Sequence, residues 1–240
     1  MKSAKAFAPA NLSCIFVIRK TKNPAKSGSL GMGFTVNKGV FATITKINNN
    51  KKIPIIKKCN IKKIIKNNNE NNKNVIYYNS KKINFPTVNS VIKKLTNEKV
   101  KVNIKSELPL GCGFGLSGAS ALATAYALNK LFNLKKSRKE LALTAHIAEV
   151  ENGTGLGDIV NQYYGGFLVK YEPSYMFKVN KIPINNKKIY CKYFSAISTK
   201  KVISNTKIKD IINNAGINSL NKIKKLNKNN LSLNNLTKIS

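Results

Sequence analysis

From Gly111 to Ser120 the chain reads Gly-Cys-Gly-Phe-Gly-Leu-Ser-Gly-Ala-Ser. Gly111, Gly113, Gly115 and Gly118 let the backbone adopt positive φ and approach a ligand closely. An apolar helical pattern begins directly behind them. The unpaired N–H groups and positive dipole end of that helix make an anion site. Ser117 and Ser120 add hydroxyls at the same end. The plain alternative is a tight strand-to-helix turn without a ligand, but four glycines in eight residues exceed what a turn requires. Further on, Glu149, Glu151 and Asp158 fall within ten positions of a chain that has nine acidic residues in all. Phosphoryl transfer needs a divalent cation held by a hydroxyl and a carboxylate, and a second group to align or deprotonate the attacking hydroxyl. The bland reading is a helix end with solvated carboxylates. Negative charge at a helix C-terminus is electrostatically unfavourable, however, which argues for a chemical reason to place it there.

Two other phosphate loops fit less well. Gly113-x-Gly115-x-x-Gly118 matches the dinucleotide fingerprint literally. That pattern should follow a strand at once and be answered by an acidic residue at the end of a second strand. Here a Ser-Glu-Leu-Pro-Leu spacer intervenes, and the later region reads as a helix. Gly113 through Ser120 fits the P-loop spacing, but Ala119 stands where a lysine must reach the phosphates.

The positioning elements are legible from periodicity. Residues 4–8 and 12–18 read as short strands around Pro9, SGSLGMGF (27–34) as a glycine-rich turn, and GVFATI (39–44) as a strand. The Lys/Asn-rich stretch 45–84 is low in complexity, with strands expected at 53–56 and 75–78 and a solvated loop near 66–74. A short helix is expected near 87–96. Val100, Val102 and Ile104 alternate with polar residues, as in a half-buried strand. Ala121, Ala125, Leu128 and Phe132 share one face of a helix over about 117–133. Ser137 and Glu140 form a capping box that starts a second helix, running to about Val150. A third helix near 157–163 leads to a strand at 167–171. Strands at 176–180 and 188–199 and helices near 207–214 and 217–227 complete the reading.

Composition narrows the function classes. The 42% hydrophobic content supports a real core. The apolar runs are too short for a membrane span, and no signal-type apolar segment opens the chain, so a cytoplasmic location is expected. Cys14, Cys59, Cys112 and Cys191 lack metal-knuckle spacing and are expected to be buried or incidental thiols. His146 is the only histidine, which excludes zinc sites built on several imidazoles; it is expected to pack. The net charge of +34 suggests nucleic acid, but lysine is spread along the chain together with Asn and Ile, and aromatics are not interleaved as a stacking platform. The excess is compatible with A/T-rich coding. It would still draw in anionic substrates.

The loop resembles the second motif of the GHMP kinases (galactokinase, homoserine kinase, mevalonate kinase and phosphomevalonate kinase), whose pattern is Pro, a spacer, then Gly-x-Gly-Leu-Gly-Ser-Ser-Ala. Leu116 and Gly118 depart from it; Ser117 keeps the second serine. The resemblance implies that ATP phosphates lie on the amides of Gly111, Gly113, Gly115, Ser117 and Gly118. It further implies Mg²⁺ between Ser117 and Glu149, with Asp158 as base or hydroxyl-orienting group and Glu151 as the rival metal ligand. Thr154 and Asn11 are candidate substrate contacts. Ala8-Pro-Ala-Asn11-Leu-Ser13 resembles the family's first motif, with Ala10 and Asn11 where many members have Gly and Lys or His. No third, C-terminal motif is visible. Within the family, AFAPANLSCIF (6–16), GSLGMGFTVNKGV (28–40), PLGCGFGLSGASAL (109–122) and AEVENGTGLGDIVNQYYGGF (148–167) are most similar to archaeal pantoate kinases. The implied activity is phosphorylation of the pantoate primary hydroxyl, a step of coenzyme A synthesis, with homoserine or mevalonate as rival substrates. The implied fold is α+β in two domains: an ATP-binding unit over 1–170 and a partial C-terminal α+β unit over 171–240. The implied partners are ATP, Mg²⁺ and the small substrate, without dedicated nucleic acid or membrane; a homodimer stays open.

Overall fold

A computed structural model describes residues 2–47, 74–184, 188–193, 195–196, 199–226, 235–236 and 239. The strand expected at 53–56, most of the loop near 66–74, and Cys59 lie outside them.

Two long strands form the spine, β1 (Ser3–Arg19) and β2 (Gly28–Lys46), paired antiparallel along their whole length. Here the structure corrects the sequence reading. Pro9 does not separate two strands; it sits at a register shift of one continuous strand. A proline lacks the ladder N–H and is tolerated at such a bulge. The glycine-rich stretch 27–34 is not a turn but the first half of β2. A Cβ on Gly31 would stand 1.9 Å from the Ile15 carbonyl oxygen, so glycine is required by the approach of β1.

The opposite edge of β2 is shared. Its first half pairs with β6 (Phe167–Lys170) and its second half with β5 (Val100–Lys105). β3 (Val75–Tyr78) adds parallel to β5, β4 (Lys81–Lys82) pairs with β3, and β7 (Asn180–Ile182) pairs with β6. Strand order is therefore β4-β3-β5-β2-β6-β7, with β1 paired to β2. The strand expected at 176–180 is a short 3₁₀ turn at Ser174–Met176 followed by β7, and the described part of 188–199 carries no strand.

Helices α1 (Pro86–Leu95), α2 (Leu116–Phe132), α3 (Arg138–Asn152) and α4 (Asp158–Tyr164) match expectation within a residue or two. α2 is apolar nearly all round, because it lies between the sheet and the neighbouring helices; Ala121, Ala125 and Leu128 are fully buried. α5 (Thr199–Ser204) precedes α6 (Thr206–Lys225), one helix where two short ones were expected. One core gathers Val40, Ile44, Ile92, Val102, Leu122 and Leu141; a second joins Ile15, Val17, Met32, Val169, Leu220 and Ile223. Among the described residues no helix is long and apolar enough to cross a membrane.

The capping box forms as expected. The Glu140 amide donates to Ser137 Oγ (3.2 Å), and the Ser137 amide donates to the Glu140 carboxylate (2.8 Å). Ser137→Ala is expected to cost about 1 kcal/mol, read as a melting temperature lower by roughly 2–4 °C.

Candidate active site

The glycine loop is fastened from two sides. The Asn11 amide of β1 donates to the Phe114 carbonyl (3.0 Å), and Gln162 of α4 donates from Nε2 to the Gly115 carbonyl (2.8 Å). Gly111, Gly113 and Gly115 all have positive φ, which other residues adopt only with strain. Gly115 is the N-cap of α2, and no side chain caps that end. The first-turn amides are left for a ligand, at one wall of a cleft of about 810 Å³. Ser117 and Thr154 line this cleft, as do Ser13, Ser29, Thr87 and Lys200. Ser120 does not offer its hydroxyl there: Oγ donates back to the Leu116 carbonyl (2.7 Å) inside the helix.

Glu149 comes from the last turn of α3. It is fully buried, and neither carboxylate oxygen has a hydrogen-bond partner. Burial pushes its pKa well above the ordinary carboxylate value, and the neighbouring Asp158 charge pushes the same way. The Ser117 and Thr154 hydroxyls temper this shift by proximity. At hydrogen-bond geometry, however, they engage Thr87 instead: Ser117 Oγ donates to it at 3.5 Å, and Thr154 lies 2.9 Å from it. A Cβ on Gly118 would be 3.0 Å from Glu149 Oε2, and one on Gly155 would be 2.6 and 2.7 Å from the two oxygens. The glycines thus form a cradle around a carboxylate that no protein donor satisfies. Among the described residues no cluster of three or more His, Cys, Asp or Glu could hold a metal by itself. One unsatisfied carboxylate just behind the cleft wall, with the Ser117 hydroxyl lining the cleft, instead fits Mg²⁺, which keeps waters and substrate oxygens as ligands. Gly155→Ala should displace the Glu149 carboxylate and lower turnover on the order of 100-fold, since 1 Å misplacements cost that much. Unchanged kcat in a folded Gly155→Ala protein would remove the cradle from the chemistry.

Asp158 opens α4, where the helix dipole favours a negative charge. A Cβ on Gly115 would lie 3.2 Å from its Cγ, so the two carboxylates border α2 one helical turn apart, Asp158 at Gly115 and Glu149 at Gly118. Burial raises the Asp158 pKa, while Lys170, Asn11 and Ser13 pull it back. Asn11 Nδ2 donates to Asp158 Oδ1 (2.6 Å), and Ser13 Oγ reaches the same oxygen at 3.5 Å. Asn11 also accepts at Oδ1 from Asn161 Nδ2 (2.8 Å). Lys170 Nζ donates to Asn161 Oδ1 (2.9 Å) and to the Gly157 carbonyl (3.0 Å). Burial lowers the Lys170 pKa to about 8 against the opposing pull of Asp158.

The structure therefore brings Gly111, Gly113, Gly115, Ser117, Thr154 and Asp158 to one cleft. Gly118 and Glu149 do not line it: Glu149 is buried directly behind the cleft wall, against Gly118 and the cleft-lining Gly155. Glu151, the rival for Glu149, is exposed and turned away, to Lys94 (2.8 Å) and Ser90 (3.1 Å). Asn11, expected to touch substrate, is fully buried and faces Asp158 and Asn161. His146 packs as expected, its Nε2 2.9 Å from the Ser27 carbonyl oxygen. Cys14 and Cys191 are exposed rather than buried, and Cys112 is half-buried; all three are free thiols. Sequence reading missed Lys170, Asn161, Gln162 and Thr87. Nothing marks Lys170 among 43 basic residues, and its burial is a property of the fold.

Residues 84–166 match the GHMP kinases N terminal domain model. The chain is 34% identical over 224 residues to a pantoate kinase of Methanocaldococcus jannaschii, covering 91% of this chain and 73% of that protein. It is 30% identical over 200 residues to a pantoate kinase of Methanospirillum hungatei, covering 83% and 63%. A solved structure described as a phosphotransferase related to the CoA biosynthesis pathway superposes with a TM-score of 0.72 at 21% identity, covering 99% of this chain and 73% of that one.

Proposed function

The chain belongs to the GHMP kinase family, and from that premise we propose that it transfers the terminal phosphate of ATP to the primary hydroxyl of pantoate. The observation that carries the reading is the pair of carboxylates bordering the start of α2. Glu149 has no donor of its own, and Asp158 is held by one oxygen. Two relatives of this chain, at 34% and 30% identity, are pantoate kinases, which supports the choice of acceptor.

The chain's own residues divide the work. The amides of Gly111, Gly113, Gly115, Ser117 and Gly118 receive the ATP phosphates. Glu149 and Ser117 would hold Mg²⁺, which, when bound, neutralises charge on the β- and γ-phosphate oxygens. Asp158 accepts the proton of the acceptor hydroxyl on its free oxygen as that hydroxyl attacks the γ-phosphorus. The bond from the γ-phosphorus to its bridging oxygen breaks, and ADP leaves. Thr154 and Thr87 line the acceptor side of the cleft. The basic surface raises the local concentration of both anionic substrates. The reading places the enzyme in the cytoplasm, where ATP is available, and keeps the division near residue 170 as a boundary between ATP-binding and C-terminal units.

The test is ADP release from ATP and Mg²⁺ with pantoate, homoserine and mevalonate offered separately. Release with pantoate alone is expected. Release with homoserine or mevalonate instead would keep the kinase and replace the substrate.

A further inference from the structure

Lys170 takes a positive charge into the interior without a carboxylate in contact with it. It is 4% exposed at the end of β6, and none of the ion pairs among the described residues includes it. An apolar side chain of the same length would avoid the desolvation cost, so packing does not explain the lysine.

What the ammonium does contact has a direction. An ammonium can only donate, and an ionised carboxylate can only accept. Lys170 donates to Asn161 Oδ1, so the Asn161 amide nitrogen must point onward. It donates to Asn11 Oδ1, and the Asn11 nitrogen donates in turn to Asp158 Oδ1. Reversing either amide would set N–H against N–H at one end or oxygen against oxygen at the other. The two asparagines are 1% and 0% exposed, so water does not compete with these bonds. Bonds chained this way in a dry interior polarise one another. They end on Oδ1 of Asp158, which Ser13 also approaches, and no hydrogen bond among the described residues engages Oδ2. The other titratable neighbours are His146 of α3, whose pKa burial and the Lys170 charge both lower, and Glu149, which the Asp158 charge affects.

We propose that Lys170 is a positioning residue for the transfer: through Asn161 and Asn11 it fixes Asp158 by Oδ1 as an ionised acceptor and turns Oδ2 toward the substrate hydroxyl. This rests on the kinase reading above for its consequence, but not for the existence of the relay.

Two measurements on the full chain test it. The first needs no turnover. In ¹⁵N–¹H spectra, the Asn11 side-chain amide should shift in Lys170→Met, although two side-chain bonds separate it from residue 170. An unmoved Asn11 signal in a folded variant would overturn the relay, even in a protein inert toward every acceptor. The second is kinetic. Lys170→Met and Asn161→Leu should each lower kcat about ten- to a hundredfold with the KM for ATP within about twofold. The double variant should be no worse than the worse single one, because both cut the same chain. Multiplying effects, or retained kcat, would overturn the proposal. So would a raised KM for the acceptor with kcat intact, which would make Lys170 a substrate anchor. Should Lys170→Met fail to fold, Asn11→Ala and Asn161→Leu carry the same cycle, with the same non-multiplying result expected.

Discussion

Asp158→Asn is expected to lower kcat by about 10²- to 10⁴-fold, the usual range for losing a general base. The substitution is close to isosteric. Asn11 donates to Oδ1 of Asp158, and an asparagine there still presents an oxygen to that donor. The loop fastened by Gln162 and the Asn11 backbone is untouched, so ATP affinity should stay within about twofold. What disappears is the acceptor for the hydroxyl proton. Turnover at saturating substrates and ATP binding without acceptor are the two readouts. Wild-type turnover in the variant would remove the base role from Asp158. A large loss of ATP affinity would instead make Asp158 part of the nucleotide site.

The parts legible in the sequence are those whose cause is local. The glycine loop, the capping box at Ser137 and the amphipathic helices are written within about a dozen residues, and they appear where the pattern puts them. The misread parts share one physical origin. Glycines in 27–34 look like a turn, yet Gly31 and Gly33 are small because the β1 backbone passes too close for a side chain: added Cβ atoms would meet Ile15 and Leu12 carbonyl oxygens at 1.9 and 2.7 Å. Two helices were expected near 207–214 and 217–227, yet one helix runs through, and Gly216 lies inside it with the Phe16 carbonyl 2.7 Å from where its Cβ would be. A glycine that serves a turn and one that serves a close approach are identical in one dimension; only the partner, roughly 16 to 200 residues away, separates them. The site follows the same division. Asp158, Glu149 and Ser117 stand in a compact motif. Lys170 and Asn161 gain their meaning from β6 lying beside β2 and α4 lying over β1, which no local pattern encodes.

Glu149→Gln should separate stability from activity. A fully buried carboxylate without a donor destabilises the fold whenever it is charged. Its folded-state pKa is raised above the unfolded value of 4.5, so the folded chain binds its proton more tightly than the unfolded one. Stability therefore falls as pH rises from about 4.5 toward the raised value, and the loss persists above it. Glutamine fills the same cradle between Gly118 and Gly155 without that penalty. The variant should match the wild type at acidic pH and exceed it by about 1 kcal/mol or more near neutrality, read as a melting temperature higher by roughly 2–4 °C. Mg²⁺ with ATP should narrow the gap by stabilising the wild type alone, because a ligand that binds only the folded state raises its stability. Turnover should fall at least about 100-fold, as the oxygen that would hold the cation loses its charge. Thermal melts across pH, with and without Mg²⁺-ATP, give all of this in one series. A variant less stable than the wild type at neutral pH would mean that Glu149 is satisfied in the fold, and the carboxylate would then have no reason to await a cation.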